Sequence, residues 1–135
     1  GPLVDAGTDA QICVDTNYTF LNGATSENTD SILWTHDGLG SLANPNTLTP
    51  TYTPSIGELG LVTFTLTGKP LAPCSNEVQD DFVLEIIDFG TVSAGADVTL
   101  CETTYLLDGT GTNINTISWT TSGTGTFSSS HKNLL

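Results

Sequence analysis

The apolar and polar positions of this chain alternate in short runs, and no run keeps a helical period. The clearest extends from Gly60 to Gly68, where Val62, Phe64 and Leu66 point one way and Thr63, Thr65 and Thr67 the other. That two-residue period predicts a strand with one face in a core and one in water. A second, Asp81 to Asp88, sets Phe82, Leu84 and Ile86 against Val83, Glu85 and Ile87. Shorter runs predict strands over Val4 to Cys13, interrupted at Ala6-Gly7, over Tyr18 to Leu21, ending at the turn Asn22-Gly23, and over Ile32 to Thr35, turned by Asp37-Gly38. Thr49 to Thr53 completes the set, and its flanking Pro50 and Pro54 place it at a sheet edge. Clusters of Gly, Asn, Pro and Ser separate the runs at the spacing of an all-β protein.

The pattern occurs twice. SILWTHDGLGSL, Ser31 to Leu42, returns as ISWTTSGTGTF, Ile117 to Phe127. Val4-Asp5-Ala6-Gly7 returns as Val92-Ser93-Ala94-Gly95, and Cys13 as Cys101 at the same offset; Trp34 returns as Trp119 at a slightly shorter one. The difference falls after Cys101 and after Gly109, in connections that tolerate deletion. Residues 1–88 are therefore expected to form one complete sandwich repeat, and residues 89–135 the N-terminal half of a second, joined through Phe89-Gly90. The half copy has no counterpart of the Gly60 to Gly68 strand or of the closing strand. It is expected to be disordered, paired with a neighbouring chain, or completed in a longer protein. Gly1-Pro2 reads as the remnant of a cleaved tag, in keeping with a segment of something longer.

Charge narrows the partners. The 135 residues carry 15 acids against two lysines and no arginine, for a net charge of -13. Nucleic acid is excluded, because phosphate neutralisation needs clustered cations, and Lys69 and Lys132 stand alone. An anionic membrane surface would be repelled, and no apolar run approaches the roughly 18 residues that span a bilayer, so no direct membrane insertion is expected.

The residues at this point carry a resemblance. Val4-Asp5-Ala6-Gly7-Thr8-Asp9, YTFLNGATS from Tyr18 to Ser26, Trp34-Thr35-His36-Asp37-Gly38, Thr49 to Thr53 and the Val62 to Leu66 strand together resemble a PKD-like, immunoglobulin-like β-sandwich repeat. More narrowly, they resemble the tandem repeats of very large cell-surface proteins of Bacteroidetes, including adhesins linked to gliding motility and type IX secretion. The resemblance implies a sandwich of about seven strands that acts outside the cell as a non-enzymatic spacer. Its implied partners are neighbouring repeats of the same chain and surface glycans or other cell-surface proteins. A second reading is a carbohydrate-binding or accessory module of a secreted polysaccharide-degrading enzyme, which exposed coplanar aromatics on one sheet face would favour. PKD domains commonly carry an acidic W-D-F-G-D-G turn, whereas here Trp34 is followed by Thr35-His36-Asp37-Gly38-Leu39-Gly40, so no role is borrowed from that turn. Trp34 and Trp119 are read as core anchors.

Few residues invite chemistry. His36 beside Asp37, with Ser31 or Ser41 as nucleophile, has the composition of a hydrolytic triad. The second copy replaces the pair with Thr121-Ser122, so the architecture does not need it, and no catalytic residue is assigned. His131 is the only other histidine, and no zinc set can be assembled. In a secreted repeat Cys13 would pair with Cys74, leaving Cys101 over; closing that loop of about 60 residues would stabilise by about 4 kcal/mol in the chain-entropy model. An immunoglobulin-like layout puts the two at opposite ends, so bonding between successive repeats and free buried thiols stay open beside it. No cofactor is expected. Calcium is the one candidate ion, placed at the inter-repeat junction where Asp88 closes the first unit and Asp97 opens the second.

Overall fold

Alternating apolar residues bury one face of a strand only if a second layer covers it, and in this chain that layer forms around the first copy. The computed structural model describes residues 1–129 and the strand at 131–133. The chain divides into unit 1, Gly1–Asp88, and unit 2, Phe89–Leu135. Every regular element among the described residues is a strand.

Unit 1 holds nine strand segments: β1 (Leu3–Asp5), β2 (Ala10–Cys13), β3 (Tyr18–Thr19), β4 (Thr25–Glu27), β5 (Thr29–His36), β6 (Ser41–Ala43), β7 (Thr51–Thr53), β8 (Gly60–Pro70) and β9 (Val78–Ile87). One sheet has the order β2-β9-β8-β5, with β2 parallel to β9 and the other pairs antiparallel. The facing sheet has the order β3-β7-β6, and β1 with β4 forms a two-stranded ribbon. The chain crosses between layers from β3 to β5, from β5 to β6 and from β7 to β8, which is the immunoglobulin-like arrangement.

The segments exceed the expected seven because Val4 to Cys13 divides into β1 and β2, and because β4 and β6 form outside the predicted runs. Between β1 and β2 the chain turns at Gly7, whose N–H donates to Asp5 Oδ1, and changes partner from β4 to β9. Thr8 N–H donates to the Asn22 carbonyl at 3.0 Å, and Asn22 Nδ2 returns bonds to the carbonyls of Ala6 and Thr8. Thr49 to Thr53 is corrected in position: Thr51–Thr53 is the central strand of its sheet, paired with both β3 and β6. Both prolines lie outside the paired residues, and the Pro50 carbonyl accepts Phe20 N–H at 2.9 Å, so neither interrupts the ladder.

The core sits between the sheets. Trp34 on β5, Val62, Phe64 and Leu66 on β8, and Phe82, Leu84 and Ile86 on β9 meet Phe20, Tyr52 and Val4 from the other side. Phe20 is the hub, edge-on to Trp34 at 4.9 Å, Phe64 at 4.9 Å and Phe82 at 5.0 Å between ring centroids. Such pairs add roughly 0.5–1.5 kcal/mol each beyond their buried area. The outward positions of β8 carry Thr63, Thr65 and Thr67, as the alternation predicts.

Unit 2 begins as unit 1 does. β10 (Thr91–Ser93) pairs antiparallel with β11 (Thr110–Thr112), matching the ribbon of β1 and β4. β12 (Thr116–Ser118), which carries the repeat of β5, pairs with β13 (His131–Asn133).

Candidate functional site

The turn that follows Trp34 is where the sequence concentrates its candidate chemistry, and the structure shows what each residue there does. His36 ends β5 half-buried, edge-on to Tyr52 at 5.1 Å and tilted against Phe64 at 5.5 Å. Its Nδ1 accepts the Gly38 N–H at 3.1 Å. Asp37 Oδ1 accepts Thr63 N–H at 2.8 Å, while Asp37 N–H donates to the Thr63 carbonyl at 3.3 Å. Each side chain is thus tied to the backbone of the turn or of β8. Ser31 lies back along β5, about 17 Å of strand from His36, and Ser41 opens β6 in the opposite sheet. The candidate triad is not assembled.

A group that the sequence pattern did not flag holds the turn instead. Glu58 is buried, and its carboxylate accepts Leu39 N–H, Ser55 N–H and the Tyr52 hydroxyl, all at 3.0 Å. The Tyr52 oxygen accepts Gly40 N–H at 2.8 Å. Burial, outweighing the Gly40 bond and reinforced by Glu58, pushes the Tyr52 hydroxyl up from 10.0 to about 12. A Cβ at Gly38 would strike the Tyr52 hydroxyl, and one at Gly40 the Thr53 carbonyl. In unit 1 Gly38 therefore leaves space for this clamp, and Gly40 for the close passage of the Thr53-Pro54 backbone. No signal in the Ser55-Ile56-Gly57-Glu58 loop marks its acid as buried; only the packing does.

The surface next to the turn is shallow. A cavity of about 160 Å³ lies between Thr35, His36, Asp37, Thr63 and Thr65 on the outward face of the four-stranded sheet. A groove of mixed character, about 290 Å³, lies along the same face beside Ser31, Leu33, Thr67, Lys69 and Gln79. Neither is lined by a Phe, Tyr or Trp ring. Among the described residues no three His, Cys, Asp or Glu side chains converge to hold a metal ion.

The remaining residues fall as follows. Trp34 is 2% exposed, with Nε1 donating to the Thr47 carbonyl at 3.0 Å, so its ring cannot serve as a stacking platform. Trp119 is half-buried and lines an open cleft of about 400 Å³ in unit 2. Cys13, Cys74 and Cys101 are free and exposed, which corrects both the Cys13–Cys74 disulfide and the buried-thiol alternative. Cys13 pairs with Ile87 at one end of β9, whereas Cys74 precedes Val78 at the other, and the ten-residue strand between them spans about 33 Å. A disulfide needs Cα atoms within about 7 Å. Lys69 is exposed at the end of β8. Asp88 closes unit 1 and Asp97 is exposed in unit 2. His131 falls outside the residues whose side chains are described.

These features define an immunoglobulin-like two-sheet unit, followed by a second unit of short paired strands. No protein-family model and no curated protein matches the chain. Solved structures similar to it include the following two. One is the PKD domain from the KIAA 1837 protein, at 23% identity and a TM-score of 0.47, over 71% of this chain and 92% of that one. The other is a nucleoside hydrolase-related hypothetical protein from Saccharophagus degradans that is associated with carbohydrate metabolism, at 13% identity and a TM-score of 0.44. That match covers 64% of this chain and a quarter (25%) of the other. No helix among the described residues is long and apolar enough to cross a membrane.

Proposed function

We propose that the chain is a non-enzymatic extracellular repeat of a large bacterial surface adhesin. Stacked in series, such units hold a distal binding region away from the cell for adhesion, gliding motility included. The path of the backbone through unit 1 carries this reading. The chain starts beside the end of β8, where Asn28 Nδ2 donates to the Gly1 carbonyl and Thr29 pairs with Pro70. It leaves beside the start of β8, where Ile86 pairs with Gly60. The eleven residues of β8 lie between, so the unit carries the chain forward by about 36 Å.

The same path suits a load-bearing role. A pull on the two ends draws β2 and β9 past each other along their parallel ladder, from Ala10–Leu84 to Cys13–Ile87. The load falls on those bonds together, and on Val14 N–H to the Ile87 carbonyl at 2.8 Å, instead of opening them singly. Two side-chain bonds reinforce the seam: Ala6 N–H to Asp80 Oδ2 at 2.7 Å, and Val83 N–H to Asp9 Oδ1 at 2.9 Å. The outward sheet face mixes Thr63, Thr65, Thr67, Asp81 and Glu85 with the exposed Leu33, Leu61 and Ile87 and carries no Phe, Tyr or Trp, which counts against the carbohydrate-binding alternative.

Single-molecule stretching of the full chain between its ends tests the reading. Unit 1 is expected to rupture in one step, releasing about 28 nm of chain, and Ile12→Pro, which breaks the β2 ladder, is expected to halve the rupture force or more. Gradual unravelling at low force, or an Ile12→Pro protein as strong as the parent, would contradict a load-bearing spacer.

A further inference from the structure

We propose that Asn22-Gly23 is a self-modification site: the backbone nitrogen of Gly23 attacks Asn22 Cγ, and the acid that results unlatches the turn carrying the chain from β1 to β2. Such a ring closure needs a following residue without a side chain and a backbone nitrogen that no acceptor holds. Of the asparagines in the chain only Asn22 precedes a glycine. Gly23 is exposed at a φ of +91°, and a Cβ there would meet nothing within 4 Å, so this side of the reacting pair is open. Among the described residues its N–H has no hydrogen-bond acceptor. The Asn22 amide is held from one end only: Nδ2 donates to the Ala6 carbonyl at 3.2 Å and to the Thr8 carbonyl at 2.8 Å, while Oδ1 is buried without a partner.

The reaction removes the held end. The Gly23 nitrogen loses its proton to solvent base and bonds to Cγ; the bond from Cγ to Nδ2 breaks, and that nitrogen leaves as ammonia with a proton from water. Water then opens the five-membered imide at either carbonyl, giving aspartate or isoaspartate, for a net exchange of one water for one ammonia. Neither product rebuilds the latch. Both groups that face Nδ2 are carbonyl oxygens, and an ionised carboxylate has no proton to give them. Isoaspartate also reroutes the backbone through Cγ and so moves the carbonyl that accepts Thr8 N–H. The second copy shows that the turn itself survives an acid. Asp108-Gly109 stands there in the place of Asn22-Gly23, and the Asp108 carbonyl lies against Gly95 as that of Asn22 lies against Gly7. The converted unit is thus a folded one whose crossing from β4 to β9 has lost two bonds.

The test incubates the full chain at physiological temperature over a series of neutral to mildly alkaline pH values and maps its digest by mass spectrometry. Conversion of Asn22 to both aspartate and isoaspartate, rising with pH and at least tenfold faster than at the exposed Asn17 and Asn28, supports the proposal. Asn22→Gln, which would have to close a larger ring, is expected to show no conversion over the same period. Amide hydrogen exchange reads the consequence: in the converted chain and in Asn22→Asp, Thr8 N–H is expected to exchange at least tenfold faster than in the parent, while the amides of β8 and β9 keep their rates. An Asn22 that stays intact while a free peptide of residues 18–26 converts would overturn the proposal, as would aspartate as the sole product, which marks direct hydrolysis. Equal Thr8 exchange in Asn22→Asp and the parent would overturn the unlatching. So would loss of β8 and β9 protection in that variant, since the amide would then hold the whole fold and not the turn.

Discussion

Val4 and Val92 open the same four-residue motif and sit in the same kind of two-stranded ribbon, yet one is buried and the other lies in water. The contrast separates what a short stretch of sequence can do alone from what it does only in company. The ribbon and the glycine turn at Gly7 or Gly95 form in both units, where Val4 pairs with Ser26 and Val92 with Gly111. Burial does not recur. Every buried core residue among those described belongs to unit 1, where β8 and β9, more than forty residues downstream of Val4, close over the first strands. The first strands of each unit suffice for the ribbon, and the more distant β8 and β9 set the core.

The sharpest way to break this comparison is to remove matched side chains. Phe20→Ala empties the hub of the aromatic cluster and is expected to cost about 3–5 kcal/mol. Leu106→Ala, at the equivalent position, is expected to fall within about 0.5 kcal/mol. Urea unfolding of the two variants, monitored by tryptophan fluorescence, checks both, and equal losses would mean that unit 2 has a core of its own.

A smaller effect is expected at the clamp, which unit 1 alone possesses among the described residues. Glu58→Ala leaves the Leu39 and Ser55 N–H groups and the Tyr52 hydroxyl without their acceptor. At about 1–3 kcal/mol for a buried unsatisfied group, with some relief from entering water, the expected loss is about 2–3 kcal/mol. Thermal melts of this variant beside Ser122→Ala in the matching turn of unit 2, which should leave the transition of unit 1 in place, measure the difference.

The smallest expected effect is on pH dependence. The Tyr52 proton is held more tightly in the folded than in the unfolded chain, so its contribution is complete below pH 10 and is lost as pH rises from 10 towards about 12. The loss is at most about 3 kcal/mol. Burial raises the Tyr18 hydroxyl as well, and adds to the same slope. Urea midpoints collected between pH 8 and 12 should fall for the parent and fall less steeply for Tyr52→Phe; parallel slopes would exclude Tyr52 as the source.

Much of unit 1 was legible in its alternation. Val62, Phe64 and Leu66, like Phe82, Leu84 and Ile86, are buried as their two-residue period requires, and Trp34 lies inside the sandwich. Thr51–Thr53 was misplaced because flanking prolines mark an edge only if their own nitrogens would fall within the ladder, and here they do not. Ser41–Ala43 is too short to show a period and forms a strand only because β7 lies beside it. Glu58 was invisible for a deeper reason. A carboxylate in a glycine-bearing loop reads as solvated, and its burial depends on three donors that come from Leu39, Tyr52 and Ser55. The pairing of Cys13 with Cys74 failed on distance along β9, which residue type cannot express.

The partner change between β1 and β2 has a consequence for how unit 1 comes apart. One continuous segment, Leu3–Cys13, is bonded first to β4 and then to β9. It works as a stitch between the ribbon and the four-stranded sheet: neither can peel back while the other stays whole, because the thread that would be drawn out of one is anchored in the other. The expected result is a single, all-or-none transition for unit 1, with no half-open sandwich along the way.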